Sequence, residues 1–411
     1  MILHDTRGRD ASVETASGHR TVLLDAAVLL AFLFSEVAYL VRFVPDYVAR
    51  GHGGDYPLYV QMAEALLVNS VRSPWKFRLL NPLLASIPIR LGTSPEIAFL
   101  IVCFASAFGA CLLMAMYLRQ LALSEWSARA GALLFAASVG GLIPLRRYYG
   151  YPDATTNLVI LAVLICAASQ RAIATAISLG LAALAKESAL LLLPFLALRM
   201  KVPTVWWRRA AVLGVPVIVF VLLHTLISSS DPPGSSPLGF TISEQFRYWD
   251  TAMVHGAGRW VLWAFAYSMG PLWLIAWLSG ARNPLFIKSF APFLLVLGVP
   301  LLRTTDTERV LMLCFPVVFP LVGRALDECG NSRRRSVVAV VTGICTLGAQ
   351  LTFDWAPKAT QFGVNPKDFV FLSLCVIPVG LVFVCRSMAP TLIAAPLDWP
   401  AGTGAVNTQP A

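Results

Sequence analysis

Four short stretches of this chain hold residues that could do chemistry. Asp55 closes Arg50-Gly-His-Gly-Gly-Asp55-Tyr56, soon after a long apolar run that ends at Val44. The glycines permit a tight turn, and a carboxylate held there at a membrane surface has the character of a general base. The plainer alternative is that Asp55 caps the helix that follows. Asp153 ends Arg146-Arg147-Tyr-Tyr149-Gly-Tyr-Pro-Asp153 and opens another apolar segment, so it has the same two readings. The two arginines and three tyrosines beside it make a dense polar and aromatic patch. Arginine suits phosphate through its planar fork of donors, and aromatic faces suit a sugar or an isoprenoid. Lys186-Glu187 interrupts the apolar stretch Leu179–Leu198. Ionisable residues in such a place are costly and face a polar cavity, unless they form a local ion pair in a turn. Asp306-Thr-Glu308-Arg309 opens a segment that contains Pro316 and Pro320. An arginine at the mouth of a bent helix can hold a lipid phosphate or simply snorkel to the interface.

The elements that must position these residues follow from composition. The 411 residues are 57% hydrophobic and only 13% charged, where a soluble domain carries about a quarter charged residues. Disorder is excluded by the same abundance of apolar and aromatic residues. A β-barrel would show short alternating segments rather than long unbroken ones. The fold class is therefore all-α, a polytopic transmembrane bundle. Crossings are expected at about 22–44, 96–118, 128–145, 154–168, 172–186, 188–199, 211–228, 259–279, 286–302, 309–326, 336–353 and 369–386. The pieces 172–186 and 188–199 are short and read as a broken or tilted helix, which gives about 11–13 spans.

Loops at 119–129, 199–209, 280–288 and 324–335 carry Arg119, Arg129, Arg282, Arg324 and the run Arg333–Arg335, among other basic residues. The positive-inside rule makes them cytoplasmic, together with the polar N-terminal tail 1–21 and a disordered tail 387–411 that flank the membrane domain 22–386. Segments 45–95, 146–153, 229–258, 303–308 and 354–367 then face outward. With the helix ends next to these segments (from Arg42 to Asp368), that side still holds about half of the 32 basic residues and 13 of the 22 acids. Translocating so much arginine works against the rule, and a bound anion is its simplest use. Solvated charges paired with the acids are the alternative. The net charge of +10 is thus assigned to topology, membrane lipids and an anion, not to nucleic acid.

Within 45–95, Tyr56, Tyr59/Val60, Ala63 and Leu66/Leu67 share one helical face, and Leu79/Leu80, Leu83/Leu84, Ile87 and Leu91 share another. Both predict amphipathic interfacial helices, joined by the basic, aromatic turn Arg72-Ser-Pro-Trp-Lys-Phe-Arg78. The stretch Phe240–Val254 in the loop 229–258 predicts a third. Of eight cysteines none forms a CxxC pair, and no HExxH, Walker loop, GxGxxG or GxSxG occurs. No metal ligands are assigned.

In this order the motifs resemble those of the GT-C superfamily, membrane glycosyltransferases that use polyprenyl-phosphate-linked sugars. The likeness rests on Asp55 soon after the first helix, Lys76-Phe-Arg78-Leu-Leu-Asn-Pro82, Tyr-Pro-Asp153, Ala185-Lys186-Glu187-Ser188 and Glu308-Arg309. It implies that Asp55 is the catalytic carboxylate and that Lys186 and Arg309 bind the donor phosphate. Arg78, Arg147, Tyr149, Asp153, Glu187 and Glu308 would complete the substrate site. It further implies inverting sugar transfer to a glycan, lipid or protein acceptor, on the periplasmic or extracellular side of a bacterial plasma membrane. The chain departs from the family in two respects. Many members pair two acids in the first loop, whereas Asp55 has no near acidic partner, so a divalent metal has no motif behind it and no cofactor is assigned. Larger members also carry a soluble acceptor-binding domain, of which this sequence shows none. A rival class is a transporter or flippase of lipid-linked glycans, which would favour inverted repeats and charges near the midplane. A non-catalytic membrane scaffold is a third, and it predicts that the outer acids are individually dispensable.

Overall fold

The computed structural model describes residues 7–44, 47–50, 55–65, 78–147, 149–199, 206–228, 268–301, 307–353, 366–388, 397 and 399. Every regular element among them is helical. In the first half these are α1 (Arg7–Phe43), α2 (Tyr47–Arg50), α3 (Tyr56–Ala65), α4 (Leu80–Arg90), α5 (Pro95–Gln120), α6 (Glu125–Phe135), α7 (Leu142–Arg147), α8 (Asp153–Ala168), α9 (Ala172–Ala185), α10 (Leu193–Arg199) and α11 (Trp206–Ser228). The second half adds α12 (Pro271–Gly280), α13 (Pro284–Leu301), α14 (Thr307–Met312), α15 (Phe315–Asp327), α16 (Ser332–Phe353) and α17 (Pro366–Ser387). Helix α1 begins inside the stretch expected to be a tail, because no proline stops it there.

Among the described residues, three stretches are long and apolar enough to cross a membrane: Thr21–Phe43, Pro95–Gln120 and Glu125–Arg147. Several shorter apolar helices accompany them, including Asp153–Ala168 and Ala172–Ala185. Large apolar side chains point outward from many of these helices, among them Leu23, Phe34, Ile173, Leu295 and Phe383. A water-facing surface would not carry so many together, whereas lipid tails accept them. Helix α5 lies centrally against α8, which packs on α9, which packs on α11. Covered alanines such as Ala107, Ala110 and Ala154 let these backbones come close. Helix α15 packs on α6 and α12, and the Phe135 ring meets Phe315 and Phe319 at 5.3 and 5.1 Å.

Three interruptions shape the bundle. The segment after α6 passes through a wide turn at Ala136–Gly140, where the Asn157 side-chain amide donates to the Val139 carbonyl at 3.0 Å. The stretch 172–199 is broken as its length implied: α9 stops at Ala185, Lys186 is extended, and a tight turn Glu187–Leu192 leads into α10. The expected proline-bent helix at 309–326 is instead two helices, separated at Leu313 and Cys314, with Pro316 in the first turn of α15. Proline lacks an N–H and fits a helix start better than a bend.

The two helices of the first loop differ from each other. In α3 the apolar stripe Tyr56, Tyr59, Met62 and Ala63 is packed inside the protein. In α4 the buried face holds Asn81, Pro82, Ala85 and Ser86, while Leu83, Ile87 and Leu91 point outward. Only α4 therefore presents its apolar stripe as an interfacial helix does. The glycines at 51–54, the basic turn within 66–77 and the loop with Phe240–Val254 lie outside the described residues. The tail after Arg386 was expected to be disordered, but Leu397 and Trp399 are buried. The Trp399 ring sits 4.8, 5.8 and 6.4 Å from those of Phe195, Phe290 and Tyr117. The Leu397 N–H donates to Asn283 Oδ1 at 3.1 Å. A buried indole with three aromatic partners gains both apolar contact and ring–ring attraction.

Candidate functional site

Asp153 is the first residue of α8, and Pro152 occupies the cap position, so the Asp153 side chain is not spent on capping. Its two oxygens go to two cations. Lys186 Nζ lies 2.9 Å from Oδ1, and Arg309 Nη2 lies 2.6 Å from Oδ2. The break after α9 turns Lys186 out of a helical path, and the short α14 carries Arg309 to the same point. The neighbouring Glu187 takes a two-pronged contact from Arg78, whose Nε donates to Oε2 at 3.0 Å and whose Nη2 donates to Oε1. Arg78 Nη1 also donates to the Tyr59 hydroxyl at 3.2 Å.

Tyr151 links this cluster to the first loop. Its ring lies 4.8 Å beneath the Arg309 guanidinium, and 5.9 Å edge-on to the Tyr59 ring. Its hydroxyl oxygen accepts the backbone N–H of Asp55 at 3.1 Å. Asp55 stands at the start of α3, and its own carbonyl accepts from Leu58 and Tyr59. Its carboxylate makes no capping hydrogen bond among the described residues. A continuous path therefore runs from Asp55 through Tyr151 and Arg309 to Asp153 and Lys186.

Charge and burial set the chemistry available here. Arg78 and Arg309 are buried, Asp153 and Lys186 nearly so, and the Glu187 side chain is 36% exposed. Among the described side chains, the cations Arg78, Lys186 and Arg309 face the carboxylates of Asp153 and Glu187. Burial works to raise the Glu187 carboxyl, but Arg78 outweighs it, helped by Lys186, and holds it at about 2. Among the described residues no group of three His, Cys, Asp or Glu side chains is placed to hold a metal ion. What the cluster offers is a set of oriented cations beside a carboxylate in a partly desolvated setting, where such charges act strongly on a developing anion.

Asp55, Arg78, Asp153, Lys186, Glu187 and Arg309 are thus brought together. Two other residues expected in the site lie elsewhere. Arg147 Nη2 donates to the Gln350 carbonyl of α16 at 3.4 Å. The Tyr149 hydroxyl donates to the Val48 carbonyl, and its ring is buried between Tyr47 and Tyr56 at 5.8 and 6.3 Å. Tyr149 is only 2% exposed, so in this arrangement its side chain has almost no surface to offer a ligand. The Glu308 side chain lies outside the described residues. Tyr59 and Tyr151 also belong to the cluster, although the sequence does not mark either as a site residue. Tyr59 falls in an apolar stripe, and nothing local separates Tyr151 from Tyr149 two residues earlier. No protein-family model matches the chain, and no curated protein matches it.

Proposed function

We propose that this protein is a multi-pass membrane glycosyltransferase of the GT-C kind. It would move a sugar from a polyprenyl-phosphate donor to an acceptor hydroxyl on the extracytoplasmic side, in a bacterial plasma membrane. The observation that carries this reading is the convergence of Lys186 and Arg309 on Asp153, with Asp55 tied in through Tyr151. Segments far apart in the chain meet there, and their residue types match what phosphate departure requires.

In this mechanism Asp55 takes the proton from the acceptor hydroxyl as its oxygen attacks the anomeric carbon. The bond from that carbon to the phosphate oxygen breaks on the opposite face, giving inversion, and its electron pair leaves with the polyprenyl phosphate. Arg309 and Lys186 stabilise the charge that grows on the phosphate. Asp153 holds the two cations in place before the donor arrives, so little rearrangement is needed at the moment of reaction. Tyr151 sets the distance between the base and the phosphate cations. Arg78, fixed by Glu187 and Tyr59, adds a further cation on the same side. The outward apolar stripe of α4 suits a helix beside a lipid entrance.

The test is to reconstitute the full chain in liposomes with a labelled polyprenyl-phosphate sugar and an acceptor-containing membrane extract. Transfer of label to a new product, with release of polyprenyl phosphate, is the expected result. Movement of the unmodified lipid-linked sugar between leaflets without transfer would overturn it in favour of a flippase.

A further inference from the structure

Beneath the charge cluster runs a short ladder of uncharged polar side chains. Asn81 lies in the first turn of α4, three residues beyond Arg78, and Thr155 in the first turn of α8, two beyond Asp153. Thr155 Oγ1 donates to Asn81 Oδ1 at 3.0 Å. On α5, Ser106 Oγ stands 3.1 Å from Thr155 Oγ1. A hydroxyl has one proton to give, and Thr155 gives its own to Asn81, so Ser106 is the donor in that second bond. The side chains of Ser106, Thr155 and Asn81 are all buried.

Packing alone does not call for such a ladder. At buried positions in an apolar bundle, aliphatic side chains of the same size need no partners. The Asn81 amide even leaves Nδ2 without a hydrogen-bond partner among the described residues, at some cost in stability. What the polar version adds is direction, because a hydrogen bond fixes a distance and an angle where apolar surfaces can slide. Among the described residues it is the one hydrogen bond between α4 and α8, and α5, which packs on both, anchors its far end. The ladder also closes a ring. Arg78 pairs with Glu187, Glu187 follows Lys186 in the chain, and Lys186 pairs with Asp153. Asp153 leads through α8 to Thr155, which bonds Asn81, and Asn81 leads back through α4 to Arg78. Each half of the charge cluster is thereby held against the other from both sides.

We propose that Asn81 and Thr155 are positioning residues, which set the spacing between Arg78 and the Lys186–Arg309 pair through the backbones of α4 and α8, with Ser106 as their anchor. They touch none of the reacting atoms. That this spacing serves a lipid phosphate rests on the function proposed above. The coupling of the ladder to the ion pairs does not, and it can be measured without any substrate.

Two substitutions at one position separate the hydrogen bond from packing. Thr155→Val keeps the shape and loses the hydroxyl, whereas Thr155→Ser keeps the hydroxyl and loses a methyl group. Each is combined with Glu187→Gln in the full chain, and denaturant unfolding in detergent gives the ratio of unfolding constants with and without Glu187→Gln. In the wild-type background that ratio reports the Arg78–Glu187 pair. It is expected to fall about threefold or more in Thr155→Val, the non-additivity of residues that share one network, and to keep its wild-type value in Thr155→Ser. An unchanged ratio in Thr155→Val, or an equal fall in Thr155→Ser, overturns the proposal. Should Thr155→Val not fold, Asn81→Leu removes the other partner of the same bond; a lowered ratio there supports the proposal and an unchanged one overturns it. In the sugar-transfer assay, Thr155→Val is expected to raise donor KM more than Thr155→Ser does. A wild type that transfers no sugar would refute the proposed function, and the unfolding ratios would still decide the role of the ladder.

Discussion

Asp153 serves two cations with two oxygens, so losing its charge is felt twice. Asp153→Asn leaves Lys186 and Arg309 side by side with no carboxylate between them. Breaking a buried pair in this way costs about 3–5 kcal/mol, and a matching drop in stability is expected from denaturant unfolding in detergent. Glu187 gives a prediction in pH. Its carboxyl is held at about 2 against an ordinary 4.5, so its ionised form favours the folded state. That contribution is complete above the ordinary value and disappears as pH falls through the depressed one. The midpoint of wild type is therefore expected to exceed that of Glu187→Gln at neutral pH, and the gap to close between pH 4.5 and about 2. A gap that widened on acidification would contradict the Arg78 pairing. At this scale the sequence was legible in residue type and order but not in partner. Asp55 and Asp153 each admit two readings in the sequence, helix cap or site carboxylate, and only long-range geometry shows that Asp153 binds cations.

Elements decide which of the marked residues can meet. The extended Lys186 between α9 and α10 was foreshadowed by two apolar pieces too short to span alone. The stop between α14 and α15 was not, since Pro316 and Pro320 are equally compatible with a bent helix. Helical periodicity located α3 and α4, yet it could not tell that the first turns its apolar stripe inward and the second outward. That choice depends on what each helix packs against. Gly150 shows how tightly the first loop is seated. A Cβ there would stand 2.1 Å from the Tyr56 ring, at the start of α3 and next to Asp55. Gly150→Ala must push that ring aside, at about 1–3 kcal/mol for overpacking. Because the displacement reaches Asp55 before it reaches Lys186, kcat is expected to fall more than donor KM rises. Steady-state kinetics in liposomes would check this, and a change confined to KM would count against it.

Across the molecule, the charge clusters of the described residues lie at two ends. Asp55, Arg78, Asp153, Lys186, Glu187 and Arg309 gather at one. At the other, Asp25 holds Arg119 and Arg129, and Asp327 ties α15 to Ser124 and Ser127. The basic loops 119–129, 280–288 and 324–335 thus share an end, as their arginines implied. The burial of Leu397 and Trp399 was illegible, because the surrounding proline and glycine signal disorder. Trp399→Ala would empty the space among Phe195, Phe290 and Tyr117 and is expected to cost about 3–5 kcal/mol. A thermal midpoint unchanged from wild type would show that the tail is not docked. The most direct test of the whole scheme lies with the carboxylate of the first loop. In proteoliposomes supplied with a polyprenyl-phosphate sugar, Asp55→Asn is expected to bind donor as wild type does yet lose transfer by a factor of about 10²–10⁴, the usual contribution of a general base. Full transfer by Asp55→Asn would contradict it.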